Sequence, residues 1–454
     1  MHGRLAPRLL LVLGCASGCA GIPDHDYLRV GGAARPEYAA PPPDLSLAEK
    51  AVRFERHLDR FISPEGTLIY RRTSLEPGKP APPLDYGTFA DTAIWTGALL
   101  GAESLRYAVT RDPAALARVR ALVGGLERLH DVTGVRGLFA RTIVRREAPD
   151  PRESTDGAWR AGTGEFAGYR WRGDVSKDQY SGVIFGLGLS ALLVDDAEVR
   201  ARAARLSAAI ADHLVANEER IVDVGGETTT YGDLRGRIAG VPIGLNALIV
   251  LAAYKVAAHT NRDERRHAEA YAAAVARGYA DIAYWAKFQV LGITNPNNDN
   301  MQMLVTVPLL ALERDPSLRR AYERSIERTL RHVRREGNAF FNLVGLQALG
   351  YDRDLHEDAL LTLRLFPLER RIFAVDATGD ARFAATLLDN RKGVEKADGA
   401  LPVNYRPASA WAWRDDPYAL RHAGGAAGEV ESPAADFILA YWLGRWLGYV
   451  RARD

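Results

Sequence analysis

Apolar positions along the chain predict two kinds of helix that alternate in order. The first kind carries one apolar stripe among charged residues, as over residues 317–336, where Leu318, Tyr322 and Ile326 recur at helical spacing. The second kind is apolar on nearly every face and must therefore be covered on all sides. Six segments are of the second kind: TAIWTGALLGAESLRYAV, YSGVIFGLGLSALLV, PIGLNALIVLAAYKVA, MQMLVTVPLLALE, FFNLVGLQALG and FILAYWLGRWLGYV.

Short turns such as TRDPA, VDDAE, TNRDE and ERDPS join the two kinds of helix, which is typical of stacked helical hairpins. A helix that begins at the capping box of Ser46 and Glu49 offers an outer partner for the last apolar helix. Six hairpins whose first and last members meet form a closed ring. We therefore predict an all-α (α/α)6 toroid over residues 46–454, with a few short β-hairpins, one of them around Gly225–Gly226.

This order of helices resembles the six-hairpin glycosidase-like superfamily, an (α/α)6 toroid shared by several families of glycoside hydrolases and polysaccharide lyases. The resemblance covers roughly residues 46–452 and rests on helix order, so it implies a fold more firmly than an activity. It also implies a substrate cleft at the rim where the inner helices begin, and a poly- or oligosaccharide as the substrate.

The first 45 residues are interpreted as an export signal followed by a tether. Small residues precede both cysteines of the chain, Cys15 and Cys19, after a basic and then an apolar stretch. Residues 1–19 thus resemble a bacterial lipoprotein signal in which one of the two cysteines is lipidated; a plain secretory signal is the alternative. Residues 20–45, rich in Pro, Gly and Ala, fit a tether. We expect a protein anchored by lipid in the cell envelope, on the periplasmic or outer-surface side.

Composition narrows the function classes. A formal net charge of +2 gives no support for nucleic-acid binding, which calls for a basic stripe or domain. Because both cysteines lie in the predicted signal, the rest of the chain has no disulfide, thiol nucleophile or cysteine metal site. GxSxG, Walker and HExxH motifs are absent from the sequence. We assign no cofactor and no metal; a calcium loop at Asp174 is a minor alternative.

Polar residues gather where the inner helices are expected to begin, and two aspartates stand at the first two of these starts. They are Asp91 in TFADTAIW and Asp178 in SKDQYSG. Glycosidic cleavage commonly uses two carboxyl groups, one to protonate the leaving oxygen and one to activate water or attack directly. Families of the resembled superfamily that hydrolyse unsaturated uronyl sugars place an Asp at two such positions, which implies this pair here. The alternative is that both aspartates are helix-capping residues.

Further candidates lie in the polar and aromatic stretches of the same rim. Asp299 in NPNNDNMQM is a third carboxylate, and the amides of Asn298 and Asn300 suit sugar hydroxyls or a tight turn. Aromatic and arginine side chains of the long loops suit stacking on sugar rings and pairing with a uronate or sulfate, unless these loops pack on their own domain. The candidates are Arg170, Trp171, Arg172, Tyr180, Tyr405, Trp411 and Trp413.

Three functions remain open on the sequence alone. The preferred one is a glycoside hydrolase, possibly of the unsaturated-uronyl type, with Asp178 as acid or base and Asp91 as its partner. The second is a polysaccharide lyase with Tyr180 as the base beside Arg170 or Arg172. The third is a non-catalytic glycan-binding or envelope-scaffold lipoprotein. Two rim carboxyl groups roughly 5–10 Å apart would favour hydrolysis.

Overall fold

The computed structural model of the protein describes residues 45–69, 72–73, 91–148, 158–287, 289–290, 293–378, 380, 383, 385–389, 394–397, 399–406 and 411–454. Thirteen α-helices lie within these residues: α1 (Leu47–Leu58), α2 (Thr92–Thr110), α3 (Pro113–Asp131), α4 (Lys177–Leu193), α5 (Ala197–Ala216), α6 (Gly244–Thr260), α7 (Arg265–Ala276), α8 (Tyr279–Ile282), α9 (Pro296–Leu312), α10 (Pro316–Val333), α11 (Ala339–Leu349), α12 (Arg353–Leu365) and α13 (Ala435–Leu447).

Six of these helices form a closed inner ring. In order around the ring, α2 packs on α4, α4 on α6, α6 on α9, α9 on α11, α11 on α13, and α13 returns to α2. The outer helices α3, α5, α7, α10 and α12 each pack on the inner helix that precedes them, and α1 packs on α13. The predicted (α/α)6 toroid of six hairpins is therefore confirmed.

The two apolarity patterns explain which helices lie inside. In α10 the buried residues include Tyr322, Ile326 and Leu330, while Arg320 and Arg324 on the other face are exposed. In α6, by contrast, every residue from Gly244 to Tyr254 is buried, since inner neighbours cover one side and an outer helix covers the other. The capping box of Ser46 and Glu49 is present at the start of α1, as predicted.

Glycines bring α2 and α4 into backbone contact. A methyl group at Gly182 of α4 would overlap the carbonyl oxygen of Ile94 in α2, and one at Gly97 would overlap the carbonyl of Gly182. One helical turn further along, a methyl group at Gly186 would overlap the carbonyl oxygen of Gly97. The absence of side chains at three successive positions therefore sets the spacing of these two inner helices.

Buried charges close the ring between its first and last hairpins. Glu55 of α1 accepts hydrogen bonds from Arg106 of α2 and from the indole of Trp442 in α13, both at 2.8 Å. Arg118 of α3 contacts Glu55 and lies 2.8 Å from the fully buried Glu103 of α2. Four helices thus meet at one ionic cluster, which specifies how α1 is seated on α13 and α2.

The two ends of the toroid differ in the length of their connections. The end where the inner helices finish carries only short turns, for example residues 111–112, 194–196 and 313–315. The strands of the described residues all lie in the connections at the other end. Their bounds are β1 (Arg72–Thr73), β2 (Thr142–Arg145), β3 (Trp159–Ala161), β4 (Tyr169–Arg172), β5 (Arg220–Val222), β6 (Thr228–Asp233), β7 (Arg237–Ile238), β8 (Val241–Pro242), β9 (Gln289–Val290), β10 (Ile293–Thr294), β11 (Arg371–Asp376), β12 (Ala385–Asp389), β13 (Val394–Ala397) and β14 (Arg421–Glu431). These strands form two three-stranded sheets, β1–β14–β11 and β2–β4–β3, and four hairpins.

The β5–β6 pair is the hairpin predicted around Gly225–Gly226. Long connections with sheets at the starts of the inner helices create one elaborated rim and one plain end. Among the described helices, none combines the length and apolarity that a membrane crossing requires.

The glycine contact predicts a steep cost for a single methyl group. We expect Gly182→Ala to destabilise the protein by about 3 kcal/mol, the upper end of the usual cost of overpacking, because the new methyl group meets backbone that cannot rotate away. The midpoint of urea unfolding measures this. Gly124→Ala in α3 is the matched control, since its methyl group meets only the ends of two arginine side chains, Arg202 at 3.1 Å and Arg128 at 3.8 Å. Equal midpoints for the two variants would contradict the role given to Gly182.

Candidate active site

The α2–α4 contact places Asp91 and Asp178 together at the elaborated rim. Asp91 occupies the N-cap position of α2, and Asp178 lies in the first turn of α4, four residues before Gly182. Neither behaves as a capping residue, because the Asp91 side chain accepts no hydrogen bond from a backbone amide of α2. The Asp178 carboxyl group accepts no hydrogen bond from any residue in the described part of the chain.

Three side chains hold the Asp91 carboxylate. The amide nitrogen of Gln179 donates to Oδ1 at 3.1 Å, and Gln179 is itself fixed because its Oε1 accepts from the Ile94 backbone amide at 3.0 Å. A guanidinium nitrogen of Arg141 lies 3.5 Å from Oδ1, and Arg414 donates to Oδ2 at 3.4 Å. Two arginines, one on each oxygen, stabilise the negative charge of this group.

The neighbouring Asp178 has the opposite environment. Burial raises the pKa of its carboxyl group above the ordinary aspartate value, and the nearby Asp91 charge raises it further. Lys177, Arg141 and Arg414 act in the opposite direction without cancelling this rise. Asp178 therefore retains its proton at a higher pH than an ordinary aspartate.

Lys177 extends the site toward the next inner helix. Its ammonium group donates to Asn246 Oδ1 of α6 at 3.0 Å, and the Asn246 amide nitrogen donates to the Asp233 and Arg235 carbonyls at 2.9 and 3.1 Å. Burial lowers the pKa of Lys177. No carboxylate of the described residues lies within ion-pair distance of it. Lys177 is therefore a half-buried cation held by a neutral amide.

A short segment, residues 411–414, crosses from the far side of the ring to α2; we call it the strap. Its Trp411 stacks on Trp95 of α2, with 4.5 Å between ring centroids, and donates from Nε1 to Asn300 of α9 at 2.9 Å. Its Arg414 lies over Trp95 at 5.0 Å from the ring centroid. The strap thus joins α9 to α2 directly beside Asp91.

The far side of the strap is fixed by α11 and α13. Asp436 Oδ2 accepts from the Ala412 backbone amide at 2.9 Å, and its carbonyl accepts from the Trp413 indole at 2.7 Å. Asn338, the N-cap of α11, donates to the Trp413 carbonyl at 3.0 Å. Trp411 and Trp413 are consequently buried in the domain, so they are not the open stacking surfaces for a sugar that the sequence suggested.

The basic and aromatic strand β4 also packs mainly on its own domain. Trp171 is buried, pairs with Ile143 of β2 and lies under Arg160, whose guanidinium is 5.7 Å from the ring. Arg170 stacks on Trp159 at 5.0 Å and donates to the Ala148 carbonyl at 2.9 Å. Trp171 and Arg170 therefore pack in and around the β2–β4–β3 sheet.

Arg172 is the last residue of β4. Its carbonyl accepts a hydrogen bond at 2.8 Å from the backbone amide of Arg141, whose side chain lies beside Asp91. Arg172 is half-buried, and of the basic and aromatic candidates in β4 it has the closest link to the carboxylate pair. Asp174, the calcium candidate, accepts from the Thr230 backbone amide at 2.7 Å and so joins two rim connections. The described residues hold no group of three His, Cys, Asp or Glu side chains suited to a metal ion.

Tyr180 and Tyr405 make their contacts with other residues than Asp91 and Asp178. Tyr180 is fully buried, its hydroxyl donates to the Gly137 carbonyl at 2.6 Å, and burial raises its pKa far above the ordinary tyrosine value. A phenol in that state does not serve as a base, which is a correction to the lyase hypothesis. Tyr405 packs edge-on against Phe383, 5.7 Å away, in a small separate apolar cluster.

Asp299 lies in a second acidic group at the same rim. It is buried and paired with the buried Lys287, and burial raises its pKa. Burial raises the pKa of Glu336, just before α11, to about 8; the Lys287 charge lowers this pKa and the Asp299 charge raises it. Asn298 is half-buried in the first turn of α9, whereas Asn300 is buried and serves the strap. Asp299 is thus a structural ion-pair partner rather than an open carboxylate.

Sequence reasoning missed four residues that touch or face the carboxylate pair. Gln179 and Lys177 flank Asp178 in SKDQYSG, so the motif contained them without showing their partners. Arg141 and Arg414 lie 50 and 323 positions beyond Asp91, in connections that have no periodic pattern. Only the folded ring brings them to α2.

Comparison with known proteins gives similarity at the level of chain path. No protein-family model and no curated protein sequence matches the chain. A family 76 glycoside hydrolase from a bovine Bacteroides thetaiotaomicron strain is 12% identical, with 71% of this chain and 69% of that chain covered and a TM-score of 0.41.

Two further solved structures resemble the chain to a similar degree. A sugar epimerase from a ruminal bacterium is 10% identical, with 87% of this chain and 98% of that chain covered and a TM-score of 0.42. A cellobiose 2-epimerase from Spirochaeta thermophila is 12% identical, with 88% and 97% covered and a TM-score of 0.44. The residue contacts described above stand independently of these similarities.

The raised pKa of Asp178 has a consequence for stability. When a carboxyl group binds its proton more tightly in the folded state, the protein loses stability as the pH rises. The loss begins at the pKa of the group in the unfolded state, 3.8, and is complete above its pKa in the folded state. We expect Asp178→Asn to unfold at a higher temperature than the parent protein at pH 7.5, with the gap narrowing toward pH 4.5.

Thermal unfolding followed by circular dichroism at the two pH values measures this gap. Asp196→Asn is the control with the opposite sign, because hydrogen bonds with Arg120 and the Val199 amide lower the pKa of Asp196. That variant should unfold at a lower temperature at pH 7.5. A lower unfolding temperature for Asp178→Asn at pH 7.5 would show that Asp178 is needed for folding.

Proposed function

We propose that this protein is a glycoside hydrolase in which Asp178 is the general acid and Asp91 its ionised partner. The observation that carries the proposal is the pair itself: two adjacent carboxyl groups, one raised in pKa by burial and by its neighbour, the other held by two arginines and an amide. Environments that separate the proton affinities of two carboxyl groups are what acid/base cleavage of a glycosidic bond requires.

Each group has a defined task in this mechanism. Asp178 donates its proton to the leaving glycosidic oxygen as the bond to the anomeric carbon breaks. The Asp91 carboxylate either attacks the anomeric carbon, forming a glycosyl ester that water then hydrolyses with Asp178 as the base, or removes a proton from the water that attacks this carbon. Gln179, Arg141 and Arg414 fix the orientation of the Asp91 oxygens throughout.

The charges around the pair favour an acidic saccharide. When Asp178 carries its proton, Asp91 is the single negative charge of the pair. Arg141, Arg414 and Lys177, from three different segments, lie close enough to act on Asp178. A site with more cations than anions attracts a substrate that brings a carboxylate or sulfate. Lys177 is suited to receive that group because its partner is a neutral amide.

We also propose that the protein is exported and anchored by lipid at Cys15 or Cys19. The support is the order of basic, apolar and small residues in the sequence. This segment lies outside the described residues.

The proposed reaction predicts the outcome of a survey of neutral and acidic polysaccharides and their unsaturated oligosaccharides. We expect new reducing ends without new ultraviolet absorbance, or loss of absorbance from unsaturated uronyl ends. Because proton donation contributes 10²- to 10⁴-fold to such reactions, Asp178→Asn should lower kcat by about 1,000-fold. Rising absorbance would indicate a lyase, and binding without any cleavage a glycan-binding protein; either result would overturn the proposal.

The excess of cations at the site predicts a preference for charged sugars, which can be measured on two forms of the same oligosaccharide. Oligogalacturonate should be bound at least about tenfold more tightly than its methyl-esterified form, which has the same sugars without the charge. Lys177→Met should reduce this preference. Arg314→Gln, which removes an exposed cation at the plain end of the toroid, is the control. Calorimetry with Asp178→Asn protein, which does not consume the ligand, gives both affinities; equal affinities would refute the preference.

A further inference from the structure

Arg414 has two contacts that lie on one face of α2. It donates to Asp91 Oδ2 at 3.4 Å, and its guanidinium carbon lies 5.0 Å from the ring centroid of Trp95. Asp91 and Trp95 are four residues apart, so they stand one above the other on the same side of the helix. The guanidinium is therefore located by an anion and by an aromatic face together.

The strap that carries Arg414 is held by three other inner helices. Asn300 of α9 holds the Trp411 indole, Asn338 of α11 holds the Trp413 carbonyl, and Asp436 of α13 holds the Ala412 amide. All of these partners are buried. Arg414 is consequently not a long flexible arginine on an open surface, because the backbone that carries it is fixed across the rim.

We propose that Arg414 is a positioning residue of the Asp91–Asp178 centre and that the strap delivers it to α2 from the opposite half of the ring. The proposal rests on the proposed function for its catalytic meaning, but the coupling between Arg414 and the two carboxyl groups is a physical property that can be measured without a substrate.

Trp95 supports this interpretation independently. It is fully buried between the strap and α2, yet its indole Nε1 has no hydrogen-bond acceptor in the described structure. An unsatisfied buried donor destabilises the fold. A stack of Trp411, Trp95 and Arg414 kept at that cost indicates that the arrangement serves the placement of the guanidinium more than the stability of the fold.

The charged groups that face Asp178 come from four segments. Asp91 faces it from α2, Lys177 from its own helix, Arg141 from the connection before β2, and Arg414 from the strap. Arg141 serves one oxygen of Asp91 and Arg414 the other. Without Arg414, Asp178 loses a cation directly, and the charge of Asp91 is less compensated. Both changes make the Asp178 carboxylate less favourable.

The test is a titration of aspartate carboxyl carbons by NMR on protein labelled with 13C at the aspartate side-chain carboxyl group. The Asp178 resonance is identified as the one missing from Asp178→Asn. In Arg414→Gln we expect it to titrate at a higher pH than in the parent protein, and in Arg414→Lys to return part of the way. Trp411→Phe keeps the stacking ring but loses the bond to Asn300, so it should shift the titration in the same direction.

Two comparisons separate positioning from a general loss of stability. Trp442→Phe also removes one buried indole bond, to Glu55, but at the ring closure, and it should leave the Asp178 titration unchanged. The double variant Trp411→Phe/Arg414→Gln should shift the titration no further than Arg414→Gln alone, since the strap acts through the arginine. Additive shifts, or an unchanged titration in folded Arg414→Gln or Arg414→Lys, would overturn the proposal.

Activity then distinguishes this inference from the proposed function. With a substrate in hand, Arg414→Gln should lower kcat by about 10- to 100-fold and move the alkaline limb of the pH profile upward with the Asp178 titration. A shifted titration in a protein that cleaves no glycan would leave the coupling intact and refute the hydrolase. Cleavage that depends on Asp178 but ignores Arg414, with an unmoved titration, would refute the positioning role alone.

Discussion

The backbone contact between α2 and α4 is the constraint on which the rim chemistry depends. Gly97, Gly182 and Gly186 let the two helices approach until a single methyl group would meet a carbonyl oxygen. Two partly buried carboxyl groups repel each other when both are charged, so side-chain forces alone would separate Asp91 from Asp178. Their proximity is imposed by helices too rigid to relax, and burial together with this repulsion raises the pKa of Asp178.

The contact between the first and last hairpins, which closes the ring, keeps the inner helices and the strap in their relative positions. Glu55, Glu103, Arg106 and Arg118 form a buried cluster at the junction of the first and last hairpins, and burial together with the Glu55 charge raises the pKa of Glu103 to about 8. Such clusters contribute little net stability, but breaking one is costly, so they act mainly to exclude other pairings. Closure keeps α13 beside α2, and α13 supplies Asp436, which anchors the strap.

The ring and its rim were predictable because apolar periodicity reports which faces must be covered, and the starts of inner helices follow from it. The burial of loop residues was not predictable in the same way: Trp411 and Trp413 have no period, and only their partners on α9, α11 and α13 show that they face inward. Tyr180 is different. Residues two apart on a helix point about 200° apart, so Asp178 at the rim already implied that Tyr180 faces elsewhere.

Aspartates have different surroundings at the two ends of the toroid. At the plain end, Asp112, Asp196 and Asp315 cap outer helices, and hydrogen bonds to amide, hydroxyl or guanidinium groups lower the pKa of each. At the elaborated rim, burial raises the pKa of Asp178, Asp299 and Asp436. Folding alone would favour satisfied caps at both ends. Of these three, Asp299 and Asp436 have structural partners, whereas the Asp178 carboxyl group accepts no hydrogen bond from the described residues, in keeping with the acid role proposed for it.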